Sequence, residues 1–332
     1  MTDPLLVEVL RGGMLESRHR GAVAVVDPEG AKVLAVGDVA RPVFPRSAVK
    51  PLQALPLVES GAADRYALSD EELALACASH SGETAHVEGV TRMLAKAGLD
   101  VSAMRCGAHW PLSQAAAFAL AQRAGAPSAL HNNCSGKHAG FLCAACAMGV
   151  DHADYWRPAH KVQREVRAVL ENLSGAVLAD PAIDGCSVPT WAIPLENLAR
   201  AYAKFATGRG LSRQRADAAV RLRAACAAAP WYVAGSGRFG TEIMQIFGAR
   251  ALVKTGAEGM FCGALPELGF GIAVKCDDGA GRACEAIMAA LIARFLPLAD
   301  HERAALSRFL NPTLPNWNGL SVGALRVTEA LA

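Results

Sequence analysis

A Ser-x-x-Lys motif near the N-terminus and a Lys-Thr-Gly motif near the C-terminus place the strongest constraint on how this chain folds. Ser47 and Lys50 lie one helical turn apart, so on a helix they share a face and the amine can reach the hydroxyl. Lys254, Thr255 and Gly256 come much later in the chain. If both motifs serve one site, the fold must bring the first and last thirds of the chain together.

The chemistry of such a site follows from the pKa of lysine. Serine is a poor nucleophile until a neighbouring base takes its proton. Lysine can be that base when burial and a second cation lower its pKa from about 10.4 toward neutrality. The two motifs are parts of the set found in penicillin-recognising serine acyl enzymes. Each is common by chance, so together they support a hypothesis of acyl transfer that the rest of the chain must decide.

Composition excludes several classes of protein. The chain has 332 residues and is 52% hydrophobic, which is enough for a large core. Its 33 Lys and Arg residues balance 31 Asp and Glu residues without a basic block, so a nucleic-acid partner is not expected. We see neither a charge-free apolar run of about 18 residues nor a signal-peptide pattern. We therefore expect a cytoplasmic protein that does not enter membranes.

The ten cysteines are expected to be reduced thiols, because disulfides are rare without export. Most lie in Ala- and Leu-rich segments and are interpreted as core residues. Cys143 and Cys146 have C-x-x-C spacing inside a helical run, where core packing is favoured over a redox or metal role.

Periodicity and turn signals predict a mixed fold. Predicted helices start at Ser47, with a kink or end at Pro56, and at Ser69 with a capping box. The remaining predicted helices cover 84–98, 113–124, 137–149, 161–173, 212–228 and 283–295, and the predicted strands cover 22–27, 32–36, 232–234, 251–254 and 269–275. We predict an α/β (α+β) fold in which a mixed sheet of N- and C-terminal strands packs against a large helical region. No linker divides the chain, so residues 1–332 are predicted to form a single catalytic domain.

Two polar stretches interrupt apolar segments. Residues 131–140 read His-Asn-Asn-Cys-Ser-Gly-Lys-His-Ala-Gly and residues 184–190 read Asp-Gly-Cys-Ser-Val-Pro-Thr. Polar groups near a core are costly unless they serve a site, and the alternative for the first stretch is a surface turn with a helix cap. If the fold brought Cys134 and Cys186 together, their thiolates could hold zinc with a third ligand. Spacing alone does not require that they meet.

Residues 235–240 read Gly-Ser-Gly-Arg-Phe-Gly after a strand-like run, which resembles a dinucleotide-binding fingerprint with Glu258 further on. The motif comes too late in the chain for two mononucleotide-binding halves. A tight turn that brings Arg238 to an anion is the favoured interpretation, and an NAD-dependent oxidoreductase using Gly235–Gly240 is the alternative.

An ordered set of motifs resembles the rhizobial-type L-asparaginases over roughly residues 5–320. The segments that carry the resemblance are 16–21 (Glu-Ser-Arg-His-Arg-Gly), 46–53 (Arg-Ser-Ala-Val-Lys-Pro-Leu-Gln), 78–83 (Ala-Ser-His-Ser-Gly-Glu), 132–138 (Asn-Asn-Cys-Ser-Gly-Lys-His), 184–186 (Asp-Gly-Cys) and 254–259 (Lys-Thr-Gly-Ala-Glu-Gly).

The resemblance implies a homodimer with a fold like that of serine β-lactamases and glutaminases. It implies two Ser–Lys pairs, Ser47 with Lys50 and Ser79 with Lys254, as the catalytic residues. It also implies a zinc site and a substrate-binding group. The zinc ligands would be Cys134, Lys137 and Cys186, and the substrate-binding residues Arg46, Lys137, His138 and Asp184.

The expected reaction is hydrolysis of L-asparagine to L-aspartate and ammonia through a serine acyl-enzyme. Like-charge repulsion between two lysines favours a neutral base beside a cation that stabilises the oxyanion. Ser47 is the favoured nucleophile because its lysine is fixed on the same helix face. The alternatives are a glutaminase or other serine amidohydrolase, the NAD-dependent oxidoreductase, and, less favoured, a non-catalytic binding protein.

Overall fold

The computed structural model describes residues 2–331 and contains one large sheet with two small ones. The strands are β1 (Leu5–Arg11), β2 (Met14–Val26), β3 (Lys32–Val36), β4 (Pro42–Val43), β5 (Ala182–Ile183), β6 (Pro189–Thr190), β7 (Ile193–Pro194), β8 (Leu252–Thr255), β9 (Met260–Leu265), β10 (Phe270–Cys276), β11 (Thr313–Pro315) and β12 (Ser321–Val327). The large sheet has the order β11-β12-β1-β2-β10-β9-β8, and β3 also pairs with β2. Its paired strands are antiparallel.

Strand β2 joins the two ends of the chain. Its first half pairs with β1, and its second half lies between β3 and β10. A side chain at Gly21, where the pairing changes, would place its Cβ 2.0 Å from the carbonyl oxygen of Lys275. Glycine is therefore required for β10 to approach. The last residues of β2, 22–26, are all buried, as expected for a strand covered on both faces.

Helices cover the sheet and form a separate helical region. They are α1 (Lys50–Gln53), α2 (Leu55–Glu59), α3 (Ala62–Arg65), α4 (Asp70–Ala76), α5 (Thr84–Lys96), α6 (Gln114–Gln122), α7 (Ser135–Ala147), α8 (Lys161–Ser174), α9 (Leu195–Thr207), α10 (Arg213–Ala228), α11 (Pro230–Ala234), α12 (Phe239–Phe247), α13 (Gly281–Phe295) and α14 (Asp300–Leu310). Among the helices of residues 2–331, none is both long enough and apolar enough to cross a membrane.

Helix α9 connects the sheet to the helical region. Its buried residues, which include Leu195, Leu198 and Tyr202, recur at helical spacing and form one apolar face. The helix lies so close to β10 that a Cβ at Gly271 would sit 1.9 Å from the carbonyl oxygen of Ala199. The hydroxyl of Tyr202 donates to the carbonyl oxygen of Ala48, which fixes the segment that follows Ser47 against the core.

The architecture confirms the predicted α+β fold, with N- and C-terminal strands as neighbours, but the sheet predicted to be mixed has only antiparallel pairs in the described residues. The capping box at Ser69 forms with Glu72. The helix predicted from Ser47 is divided into a 3-10 turn, α1 and α2, because Pro56 occupies the first turn of α2 rather than continuing α1.

Several elements of the structure differ from the predicted ones. The predicted strand 232–234 is helix α11, which starts at Pro230, because proline favours the first helical turn. Helix α5 ends at Lys96, before the predicted end at residue 98. Helices α9 and α14 and strand β9 were not predicted. Strand β9 is a short apolar run, and such a run has no period that distinguishes a strand from a helix.

Candidate active site

The segment that carries Ser47 begins with a strained residue. Arg46 has φ +50, in the left-handed region that non-glycine residues rarely adopt. Its Nε donates to Asp184 Oδ1 across 2.8 Å, which ties the segment to the 184–190 turn. Ser187 in that turn and Glu258 after the Lys-Thr-Gly motif also have positive φ, at +76 and +59. Strain of this kind is concentrated at functional sites, and three of the five non-glycine residues with positive φ in residues 2–331 lie in predicted motifs.

The Ser-x-x-Lys motif at Ser47 and the Lys-Thr-Gly motif at Lys254 are in contact. A Cβ at Gly256 would lie 2.8 Å from the carbonyl oxygen of Pro45 and 3.0 Å from the amide nitrogen of Ala48. The glycine of Lys-Thr-Gly is therefore needed for β8 to pack against the backbone around Ser47. The fold satisfies the requirement that the first and last thirds of the chain meet.

Lys254 is held in β8 with 2% of its surface exposed. Its Nζ donates to the carbonyl oxygen of Thr255 at 3.0 Å. Burial lowers the pKa of Lys254 well below its ordinary value, and the charges of Lys50 and Arg238 lower it further. A neutral amine at this position can accept a proton.

Lys50 is fully buried and links two loops. Its Nζ donates to the carbonyl oxygens of Ala78 at 2.7 Å and Asn133 at 3.2 Å. The amine is thereby fixed beside Ser79 and beside the 131–140 stretch. Within residues 2–331, neither the Ser47 nor the Ser79 hydroxyl hydrogen-bonds a lysine. The structure thus brings the four predicted catalytic residues into one region without forming the Ser–Lys hydrogen bonds themselves.

Ser79 begins a loop that is hydrogen-bonded on both sides. The amide of Ser79 donates to the carbonyl oxygen of Val233 at 3.0 Å. His80 Nε2 lies 2.8 Å from Ser135 Oγ, and its Nδ1 accepts from the amide of Gly82 at 3.1 Å. These hydrogen bonds attach the loop to the start of α7 and to the end of α11.

The Gly235–Gly240 turn differs from a dinucleotide-binding loop. It follows helix α11 rather than a strand. The amide and hydroxyl of Ser236 donate to the Glu83 carboxylate at 2.9 and 2.8 Å. A carboxylate therefore occupies the donors that a phosphate would need, so the structural context of the oxidoreductase alternative is absent.

Arg238 is the charged residue of this turn. It caps helix α12, whose Gly240 would place a Cβ 3.9 Å from the carbonyl oxygen of Val253, next to Lys254. The guanidinium is half-buried and makes none of the hydrogen bonds or ion pairs found in the described part of the chain. Burial raises the pKa of the nearby Glu285 carboxyl and the charge of Arg238 opposes this effect, but the N–H donors of Arg238 remain available to a further anionic group.

The structure brings the predicted zinc ligands together. Lys137 Nζ donates to Cys186 Sγ at 3.0 Å. The pKa of Cys186 is lowered to about 5 by the neighbouring Cys134 thiol and by the charge of Lys137, against the effect of burial. The proximity of Cys186 and burial raise the pKa of Cys134 to about 12. Asp184 Oδ2 lies 3.7 Å from Cys186 Sγ.

These side chains meet some of the requirements of a metal site. Two sulfurs and a primary amine meet at one place, and a thiolate is already favoured at Cys186. No group of three or more His, Cys, Asp and Glu side chains suitable for a metal ion occurs in residues 2–331. Lys137 would therefore have to be the third ligand. Burial lowers the pKa of Lys137, but the charges of Cys186, Cys134 and Asp184 raise it by more, so its pKa is above the ordinary value. A metal would therefore have to displace a proton from the amine.

The remaining predicted binding residue, His138, is fully buried on α7. Its Nδ1 lies 2.6 Å from the hydroxyl of Tyr155, and its Nε2 has no hydrogen-bond partner. Burial and the charge of Lys137 lower the pKa of His138 well below its ordinary value. The side chain is thus a neutral imidazole.

Sequence reasoning gave no role to Tyr155 or Asn133. Asn133 lies inside the 131–140 stretch, and its backbone carbonyl oxygen accepts from Lys50. Residue type does not predict such a role, because every residue has a backbone carbonyl oxygen. Tyr155 lies outside every motif, and no feature of the sequence distinguishes it from a core aromatic residue.

The chain is an amidohydrolase. It belongs to the L-asparaginase II family, whose model matches residues 7–327. This confirms the family resemblance found in the motifs. A comparison with curated proteins gave no match.

Solved structures give a weaker similarity. A β-lactamase from Mycobacterium bovis aligns at 15% identity with a TM-score of 0.42, over 82% of this chain and 94% of its own. The native form of a protein called Mglu aligns at 17% identity with a TM-score of 0.38, over 85% of this chain and 62% of its own. A mutant simvastatin synthase from Aspergillus terreus aligns at 9% identity with a TM-score of 0.40, over 77% of this chain and 86% of its own. These values give no information about residue roles.

Proposed function

We propose that the protein hydrolyses L-asparagine to L-aspartate and ammonia through a serine acyl-enzyme. The observation that carries the proposal is Lys254, a buried lysine with a lowered pKa at the junction of the Ser47 segment and β8. Burying an amine costs free energy, and a buried lysine with a lowered pKa is typical of a group that takes part in proton transfer.

In the proposed first step, Ser47 Oγ attacks the side-chain amide carbon of asparagine, and the neutral amine of Lys254 accepts the hydroxyl proton. Lys50, held by two carbonyl oxygens, is the cation that stabilises the developing oxyanion. Collapse of the tetrahedral intermediate breaks the C–N bond, and Lys254 returns the proton to the leaving ammonia. The product is an ester of Ser47.

Deacylation repeats these steps with water. Lys254 takes a proton from water as the water oxygen attacks the ester carbon. The C–O bond to Ser47 then breaks to release aspartate, and Lys254 returns the proton to Ser47 Oγ. Ser79 completes the second predicted Ser–Lys pair and is proposed to pass protons between Lys254 and the substrate.

Substrate binding is proposed for Arg46, Lys137, His138 and Asp184, with Arg238 as a further candidate. Asp184 suits the α-ammonium group, whereas the arginines and His138 suit the α-carboxylate. Zinc held by Cys134, Lys137 and Cys186 would supply a fixed positive charge that orients the polar end of the substrate. Its support is the close approach of two thiols and an amine.

A glutaminase or another serine amidohydrolase is the second candidate, because the same acyl chemistry acts on a side chain one methylene longer. Ammonia release from asparagine and from glutamine, measured with the parent protein and with Ser47→Ala, tests both. Release from asparagine that Ser47→Ala abolishes supports the proposal. Faster release from glutamine would identify a glutaminase, and release from neither would reject both.

A homodimer is also proposed, with helix α6 as part of its interface. None of the residues of α6 is buried, and Phe118 on this helix is 59% exposed, with Trp110 and Leu112 nearby in the chain at 47% and 53%. Apolar surface of this kind is typical of contact sites. Phe118→Asp should convert a dimer to a monomer in sedimentation velocity, and a parent protein that is monomeric would contradict the proposal. A cytoplasmic location and the lack of a nucleic-acid partner stay predictions.

A further inference from the structure

Tyr155 is a fully buried tyrosine whose hydroxyl has two partners. It accepts a hydrogen bond from the amide nitrogen of Arg105 at 2.9 Å and lies 2.6 Å from His138 Nδ1. Its backbone is fixed as well, because Gln163 Nε2 donates to the Tyr155 carbonyl oxygen at 3.0 Å. The geometry of this hydroxyl is therefore set by the surrounding core and not by solvent.

The protons of this group can be assigned by counting donors and acceptors. The Arg105 amide can only donate, so the Tyr155 oxygen is the acceptor there. The hydroxyl still has one proton of its own, and His138 Nδ1 is the one acceptor found within its reach in residues 2–331. If Nδ1 carried a proton, the tyrosine hydroxyl proton would be buried without a partner, which is costly. Nδ1 is therefore the unprotonated nitrogen.

We infer that Tyr155 is a positioning residue that fixes His138 in the Nε2–H tautomer and so makes it a hydrogen-bond donor to the substrate. An imidazole whose Nδ1 accepts the Tyr155 hydroxyl proton carries its own proton on Nε2, so this contact sets the tautomer. That atom is buried and has no partner. A donor in this state requires an oxygen acceptor, either a carboxylate or an amide carbonyl, and does not bind an ammonium group.

The inference rests on the proposed role of His138 in binding asparagine, but its first test does not depend on activity. Long-range ¹H–¹⁵N NMR of the histidine rings gives the tautomer directly, and His138→Gln assigns the signal. The parent protein should show His138 with a protonated Nε2 and an unprotonated Nδ1. An Nδ1–H tautomer or a doubly protonated ring in the folded parent protein would overturn the inference, whether or not asparagine is a substrate.

The second test compares Tyr155→Phe, His138→Ala and the double variant. Tyr155→Phe should make the His138 signal a mixture of tautomers and raise KM for asparagine about tenfold, with a smaller change in kcat. In the double variant, loss of Tyr155 should have no further effect on KM, because the tyrosine acts through His138. Equal KM effects in both backgrounds would show that Tyr155 acts elsewhere. If Tyr155→Phe does not fold, the tautomer in the parent protein decides the question.

Discussion

Arg46 Nε donates to Asp184 Oδ1 across 2.8 Å and so joins the residue before Ser47 to the turn that holds Cys186. Their side chains are 28% and 11% exposed, which limits screening by water. The pKa of Asp184 is lowered because the charge of Lys137 and the hydrogen bond from Arg46 outweigh the effect of burial. This ion pair holds a strained backbone residue next to the proposed nucleophile, so its removal should affect more than stability.

Asp184→Asn should lower kcat/KM for asparagine by about 100-fold, because small displacements of a nucleophile are costly. Unfolding free energy should fall by only about 1–2 kcal/mol, the usual effect of losing a hydrogen bond to a charged group. Glu59→Gln is a matched control, because Glu59 accepts from Arg215 at 2.6 and 3.1 Å with 15% of its side chain exposed. The control should lose similar stability in urea titrations and keep its activity. Equal activity in the two variants would contradict a role for the pair at the site.

Ser47→Ala should lower kcat by about 10³-fold or more, with an unchanged melting temperature, because it removes a nucleophile and no packing group. Mass spectrometry of the parent protein quenched during turnover should find an aspartyl adduct on a Ser47 peptide. Ser79→Ala is the comparison that separates the two serines, since it should slow the reaction but keep the adduct on Ser47. An adduct on Ser79 would reverse the proposed roles.

The sequence predicted the contact between the Ser47 and Lys254 motifs for a physical reason. A serine nucleophile needs a nearby base, and a lysine with a lowered pKa can be that base, so the two residue types are expected in one site. It predicted the helix that follows Cys134 because polar residues opened an apolar run. It could not predict that Gly256 packs on Pro45 or that Lys50 binds two carbonyl oxygens. Such contacts depend on backbone atoms, which are the same in every residue. Helix α9 was not predicted although it has a clear apolar face. Helix α11 has only 5 residues, too few for a helical period to be recognised.

Lys254→Met should raise the unfolding free energy at neutral pH while it lowers kcat by about 10²–10⁴-fold. In the unfolded chain this lysine has a pKa of about 10.4, and in the folded protein its pKa is well below the ordinary value. Between these two values the unfolded state binds more protons, so wild-type stability rises with pH. Urea unfolding at neutral pH and at about pH 9 should show the advantage of the methionine variant shrinking as pH rises. A constant difference would mean that Lys254 is charged in the folded protein.

Cys134→Ser combined with Cys186→Ser should remove bound zinc and raise KM more than it lowers kcat. Thiolates bind zinc far better than hydroxyls do, and a metal that orients the substrate does not take part in bond cleavage. Cys276→Ser with Cys284→Ser is a suitable control, because these buried thiols are 3.3 Å apart and hydrogen-bonded without a lysine. Elemental analysis should find zinc in the parent protein and the control. Equal zinc in all three proteins would exclude this site, and a fall in kcat alone would place the metal in the chemical step.

Arg238→Gln should move the acidic limb of the kcat/KM profile to higher pH and raise KM for asparagine. The charge of Arg238 is one of the causes that lower the pKa of Lys254. Its removal makes the ammonium form less unfavourable, so the pKa rises and a larger fraction of the base is protonated at a given pH. Arg238→Lys keeps the charge but loses the bidentate geometry. It should leave the acidic limb in place and raise KM, which separates the electrostatic effect from substrate binding. If the acidic limb is the same in Arg238→Gln and the parent protein, either Lys254 is not the group that titrates in this limb or Arg238 lies too far from it to act.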